Sequence, residues 1–505
     1  MRSLAVYSKF LAMSLFSLLV ACGGSSDNSG STDPGDDGQT PALVVPTTYN
    51  YTNSTYTVEP ADSVSYTGQV ARQLLISGMV DEMNAMTESG KTEDQYRLDL
   101  DFYMNGDGAD DTATGFTLKN GQSDGSDIDN AATYGAISSG KNLDGKIAGG
   151  DGEGSGETSK LIEGEFFGWS DGLSNGALPI DLVDLWIAQL ASQASDGTSL
   201  TVPTVDGDVI VTSVHYDAQG RNQRQLLQKF LMGAVSFSQG TNDYFQSDWA
   251  VQVTTQEGSK NYTEAEHNFD EAFGYYGAAR DNNDYTDLEA RAKSGRDEWK
   301  NGYYDTDGNG LIDPRSEFNF GHSQNCAKRD VGSASNTNPT DLSGEAMNAF
   351  LAGRQIIANA SNAGSITDDE LESLNAYIKT AAVAWEKCIA ATAIHYVNDV
   401  IADMSGFSNG SYSSVDNFTD LGKHWSELKG FALSLQFSPF SPFRDSEVTA
   451  VDLNDLKTVL SNIGDKPVLA TDTQANIDAY NQSLLSARTI LQNAYGFDEE
   501  NVAGW

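Results

Sequence analysis

One uninterrupted helical period runs from Thr367 to Met404, and no other feature of the chain narrows its fold as much. Thr367-Asp-Asp-Glu370 supplies an N-cap hydroxyl with a carboxylate at the third helical position, the reciprocal pair that satisfies free amides at a helix start. The same period recurs in Ser65 to Met86, Leu178 to Ala194, Arg221 to Ser236, Thr263 to Ala279, Leu342 to Ala360, Asp420 to Leu435 and Thr473 to Tyr495, with Asp472 placed to cap the last of these. Segments of helical period outnumber strand signals, so the spacing predicts a mainly α fold.

Two stretches depart from that period. Thr201 to Ala218 alternates apolar and polar residues around Asp206-Gly207, which predicts a small β-hairpin decorating the helical body. Asn105 to Glu157 is rich in Gly, Asp and Ser and reads as a long irregular excursion that offers oxygen ligands to cations. No short-period repeat is evident. Helical halves at roughly 60–300 and 340–500 are compatible with a pseudo-duplicated pair of packed bundles.

The start of the chain is of another kind. Met1 to Lys9 is basic through Arg2 and Lys9, and Phe10 to Leu19 is apolar but too short to span a bilayer comfortably, so residues 1–21 read as a cleaved export signal. Leu19-Val20-Ala21-Cys22 resembles the lipobox of bacterial lipoproteins, and the resemblance implies cleavage before Cys22 and acylation of its sulfur. The simpler alternative is an ordinary secretory signal with an incidental Cys. Gly23 stands where an Asp is associated with retention in the inner membrane, so the resemblance points to the outer membrane of the cell envelope. Residues 22–45 hold little apolar surface to offset the entropy of ordering and read as a flexible tether. Residues 46–505 read as the folded body, expected to be soluble because no second long apolar segment follows.

Lys and Arg total 30 against 72 Asp and Glu, a formal charge of −42. Such a surface repels phosphate backbones and anionic headgroups, so nucleic acid is excluded as a partner and cations are the natural counter-species. Most of these carboxylates need do no more than keep an exported protein soluble. With Cys22 acylated, Cys326 and Cys388 remain; in an oxidising envelope they are candidates for one disulfide, with two buried thiols as the alternative. Neither has the CxxC partner or nearby His cluster of a zinc or redox site.

The sharpest local motif is Asp305-Thr-Asp307-Gly-Asn309-Gly310-Leu311-Ile-Asp313, which has the front half of a calcium loop. Oxygen side chains at alternate positions converge on one hard cation, Gly310 permits the sharp turn, and the carbonyl of Leu311 adds a ligand. The departure is at the twelfth position, where Ser316 replaces the bidentate Glu and Glu317 follows one residue later. The expected calcium set is therefore Asp305, Asp307, Asn309, Leu311, Asp313 and Glu317, acting as a structural staple; the alternative is a solvated Asp-Gly turn.

Histidine is scarce. His267 with Asp270, and His424 with Glu427, each place a carboxylate three residues after an imidazole on one helix face, as a metal or proton site requires. His395 and Asp399 form a further same-face pair, whereas His215 and His322 have no helical partner. Composition alone yields some such pairs, and a hydrogen-bonded, half-buried imidazole is the plainer reading of each.

Gly422-Lys-His424-Trp-Ser-Glu427 matches the GxHxxE signature of the imelysin-like proteins, which are exported, helical and often encoded with iron-uptake systems. Gly220-Arg221 and LLQKFLMGAV after the hairpin, Phe269 to Tyr276, Gly353-Arg354, Trp385-Glu386, Ala390 to Tyr396 and HWSELKGFALSLQFSP resemble one lipoprotein branch of that superfamily, known as a domain of unknown function. The resemblance implies two packed helical bundles with a site at their junction, formed by His424 and Glu427 with His267 and Asp270 from the other half. Arg354, Glu386 and His395 are weaker additions. It implies a non-catalytic protein that binds iron or another transition metal, or a ligand, for a TonB-dependent uptake system. A metal-dependent peptidase of imelysin type and a calcium-stabilised surface scaffold are the alternatives. The chain has no HExxH, GxSxG, SxxK or phosphate-cradling loop, so no standard hydrolase motif supports the peptidase.

Overall fold

The computed structural model describes residues 43–505 apart from 57–60, 87–89, 116–132, 151–160, 198 and 449. The export signal, Cys22, nearly all of the tether and much of the Asn105–Glu157 excursion lie outside the described residues. Eleven helices of nine residues or more order the described body: α1 Thr67–Ala85, α2 Glu93–Asn105, α3 Pro179–Asp196, α4 Gln223–Leu231, α5 Glu264–Tyr276, α6 Gly321–Ser333, α7 Leu342–Ala363, α8 Asp368–Met404, α9 Val415–Ser434, α10 Leu453–Ile463 and α11 Gln474–Tyr495. Strands β1 (Leu200–Thr204) and β2 (Gly207–Val211) form one antiparallel hairpin. The fold is mainly α with a small β-hairpin. Among the described residues no helix is long and apolar enough to cross a membrane.

The long period opens as its cap predicts: Thr367 Oγ1 accepts the Glu370 amide at 3.3 Å and Glu370 returns a carboxylate oxygen to the Thr367 amide at 2.8 Å. Beyond Ala381, burial in α8 falls on nearly consecutive positions, Ala381, Ala382, Ala384, Trp385, Glu386, Cys388 and Ile389 among them, instead of on one stripe. A helix enclosed on all sides lacks a polar face there, and α8 is enclosed by α6, α7, α9 and α11. Cys326 of α6 and Cys388 of α8 are joined in a disulfide.

The main core runs from Tyr49 to Trp505, beside a small second cluster of Ala279, Tyr285, Ala290 and Ala327. Helix α4 packs on α9 and α5 on α7, so elements on either side of the chain midpoint share that core. Pairing of Thr204 with Gly207 puts the hairpin turn at Val205-Asp206, one residue earlier than the Asp-Gly signal. His215 lies past the end of β2 and sets its Nε2 against the Met83 carbonyl at 2.7 Å. Helices α2, α6 and α10 fall outside the segments read from the sequence. The cap of α11 is Thr473, whose Oγ1 accepts the Asn476 amide at 3.3 Å; Asp472 instead accepts the Leu469 amide at 2.9 Å in the preceding turn.

Helix α4 widens into a π-turn over Met232–Phe237. Such a turn leaves carbonyls without their usual amides. His322 Nε2–H donates to Met232 O at 3.0 Å, and the Ala148 amide donates to Ala234 O at 2.7 Å. Burial holds the His322 imidazole neutral, with its pKa down at about 4.

Candidate metal and ligand centre

The structure separates the residues that sequence spacing grouped. Asp270 of α5 is fully buried and belongs to a closed network centred on Arg354 of α7. Arg354 Nε donates to Asp270 Oδ1 at 2.8 Å, Nη1 to Glu266 Oε1 at 3.0 Å, and Nη2 to Ser63 Oγ at 3.2 Å. Tyr49 and the Ser65 amide fill the rest of the Asp270 carboxylate, while Asn53 and the Thr263 amide fill Glu266. His267 turns its Nδ1 to the Ser65 carbonyl at 3.1 Å. Every strong acceptor here already has a donor, so His267 and Asp270 pin the segment after the tether to α5 and α7 and do not join His424. Glu386 is likewise spent on another contact: it accepts the Tyr495 hydroxyl at 2.7 Å, and burial pushes its pKa up to about 7.

A second polar centre forms where α8 meets α9. His395, Asp399 and Asp403 recur every fourth residue and so share one face of α8. His424 of α9 sets Nδ1 against Asp403 Oδ2 at 2.8 Å, while its Nε2 faces Asp399 Oδ2 at 3.9 Å. His395 Nε2 approaches the same Asp399 oxygen at 3.3 Å. Two imidazoles therefore flank one carboxylate, and the Tyr396 ring stacks on His424. Burial opposes the charged form of His424, but the hydrogen bond and charge of Asp403, with Asp399 beyond, raise its pKa above the usual imidazole value. Burial and then the Arg329 charge depress His395 to about 3, so this ring is neutral.

The other residues of GxHxxE explain the local packing. A Cβ on Gly422 would lie 2.8 Å from the Gly220 carbonyl, so the glycine lets α9 reach that turn. Glu427 is 4 % exposed; its Oε1 lies 3.4 Å from Lys229 Nζ, and its Oε2 has no hydrogen-bond partner among the described residues. Asp403, Lys229 and Tyr396 were not read as site residues, because they are far from the motif along the chain. The four-residue spacing from His395 through Asp399 to Asp403 was the available signal for Asp403.

The acidic loop is the other assembled site. Asp305 accepts the Asn309 and Gly310 amides at 3.1 and 2.8 Å, and Gly310 takes φ +84°, which favours glycine. Glu317 reaches back from the thirteenth position to accept the Thr306, Asp307 and Asp313 amides. Ligand oxygens of Asp305, Asp307 and Glu317 lie within 4.8 Å of one another, the one such three-residue group among the described residues. Asp313 is turned away to Arg315, at 2.6 Å, and Asn309 and Leu311 bond to each other within the loop.

Residues 170–305 match a family described as a domain of unknown function, DUF4856. The matched stretch contains the hairpin, α4 and α5, and stops at the first carboxylate of the acidic loop, before α8 and α9. No curated protein matches the chain, and no solved structure does.

Proposed function

We propose that this chain is a non-catalytic envelope protein, anchored in the outer membrane through acylated Cys22, that binds a transition-metal ion, iron first, at the His395–Asp399–His424 centre for a TonB-dependent uptake system. The observation that supports this reading is the approach of two imidazole Nε2 atoms to one oxygen of Asp399. Two imidazoles and a carboxylate suit Fe(II) and its neighbours, and a carboxylate on the far nitrogen, as Asp403 is on His424, fixes ring orientation and tautomer. The surplus of carboxylates favours cations over anions at long range. Glu427, the base a peptidase would need, is buried against Lys229, which argues for binding over hydrolysis. Calcium is assigned to Asp305, Asp307 and Glu317 as a staple of the loop before α6.

Metal analysis of protein purified without chelator tests the reading. His424→Ala and Asp399→Asn are expected to lose the transition metal and keep their calcium, and Cys22→Ser is expected to leave the membrane fraction. Wild-type transition-metal content in both centre variants would overturn the assignment.

A further inference from the structure

Arg329 of α6 stands beside the same centre, where burial works against its charge and Tyr396, Asp399 and Asp330 favour it. The residue is 8 % exposed, yet its Nε has no hydrogen-bond partner, and its guanidinium forms no close ion pair among the described residues. Its position is nonetheless fixed: the Arg329 carbonyl accepts the Trp505 indole N–H at 3.0 Å, and Asn398 of α8 donates to the Trp505 carbonyl at 3.0 Å. The charge of Arg329 bears on His395, Tyr396 and Asp399. Nδ1 of the neighbouring His395 has no side-chain hydrogen-bond partner among the described residues. A buried guanidinium is a planar fork of donors whose matched acceptor is a carboxylate-type oxyanion, and leaving it unpaired is costly.

We propose that Arg329 receives a small oxyanion of the carboxylate or carbonate class at this centre, where the anion and the metal ion bind together. The inference rests on the metal reading above for the joint binding, but not for the anion contact itself. Arg329 supplies paired N–H donors to the oxyanion, Asp399 and the imidazoles face the cation, and opposite charges bound side by side each strengthen the other's hold. The coupling is reciprocal: an anion that tightens metal binding is itself tightened by metal.

The purified protein is titrated with Fe(II) under anaerobic conditions in the presence and absence of bicarbonate, and separately with formate in place of bicarbonate to distinguish a carbonate site from a general carboxylate site. Bicarbonate is expected to tighten Fe(II) binding about tenfold, a typical coupling, and Arg329→Gln is expected to abolish that enhancement while still binding the metal. Arg329→Lys is expected to recover part of it. Line broadening of 13C-bicarbonate by metal-free protein, lost in Arg329→Gln, reads the anion contact directly. Failure of Fe(II) to bind with that broadening intact would remove the metal reading alone. An anion effect that is absent from wild type, or equal in wild type and Arg329→Gln, would overturn the proposal.

Discussion

Arg354 and Arg329 are both buried arginines on helices that line α8, and they live in opposite circumstances. Arg354 spends its fork on two carboxylates and a serine hydroxyl, and every oxygen of those carboxylates accepts at least one hydrogen bond. Arg329 is buried beside Asp399 and Asp330, yet its Nε has no hydrogen-bond acceptor among the described residues. A desolvated charge is tolerable in a fold when its partners are complete, and a fold has little reason to hold one that is incomplete. The first arrangement is what a helix junction needs; the second is the one the proposed anion would complete.

The largest expected effect breaks the first half of that contrast. Arg354→Met leaves Glu266 and Asp270 as buried carboxylates without their cation, and removing one partner of a buried pair costs about 3–5 kcal/mol. A clear fall in the melting temperature is expected, with the segment from Tyr49 to Ser65 opening to protease first. A variant as stable as wild type would show that the network is not what holds that segment.

Glu386 provides an intermediate case, since it is buried without a close cation and its acceptors are met by hydroxyls, Tyr495 at 2.7 Å first among them. Its pKa stands at about 7 in the fold, against 4.5 for a free Glu. Between those values the folded chain binds the extra proton, so stability is fully present below the lower value and is lost as pH rises through about 7. The loss approaches about 3 kcal/mol. Glu386→Gln is expected to melt near wild type at acid pH and above it when alkaline; an identical pH profile in the two proteins would remove Glu386 from the account.

Calcium comes next. An ion that binds only the folded state adds about 2.7 kcal/mol at a hundredfold excess over Kd. EDTA is expected to lower the melting temperature of wild type, and Asp305→Ala or Asp307→Ala is expected to abolish the difference. Equal melting with calcium and with EDTA would leave the loop as a solvated turn.

These regions also differ in how far they could be read from the sequence. The course of α8, its Thr367 cap and the mainly α fold follow from short-range spacing, which is where periodicity and capping act. Helix α6 did not: Gly321 to Ser333 is mostly polar and is buried through His322, Asn325, Arg329 and Asp330, partners that only tertiary structure supplies. Asp472 and Thr473 both suit a cap, and local turn geometry chose between them. The two His-to-carboxylate pairs looked alike in sequence because both repeat at three residues. They part company through Arg354 and Asp403, which lie 84 and 21 residues away from their partners. The acidic loop was legible because its carboxylates lie close together in the chain, and even there the reach of Glu317 from the thirteenth position depended on the turn at Asp313.

The smallest expected effect is the one that most sharpens the contrast. Arg329→Met replaces an unbonded cation with an apolar chain of similar length, in protein free of metal and bicarbonate. No hydrogen bond of the guanidinium is lost among the described residues, and a desolvation cost is removed. The variant is expected to melt at or slightly above wild type, by up to about 1 kcal/mol, the opposite sign to Arg354→Met. With metal and bicarbonate present, wild type is expected to gain stability and overtake Arg329→Met, because only the intact fork holds the anion in the folded state. A variant that falls as far as Arg354→Met, regardless of ligand, would make Arg329 a structural residue and would close the centre as a site for anions.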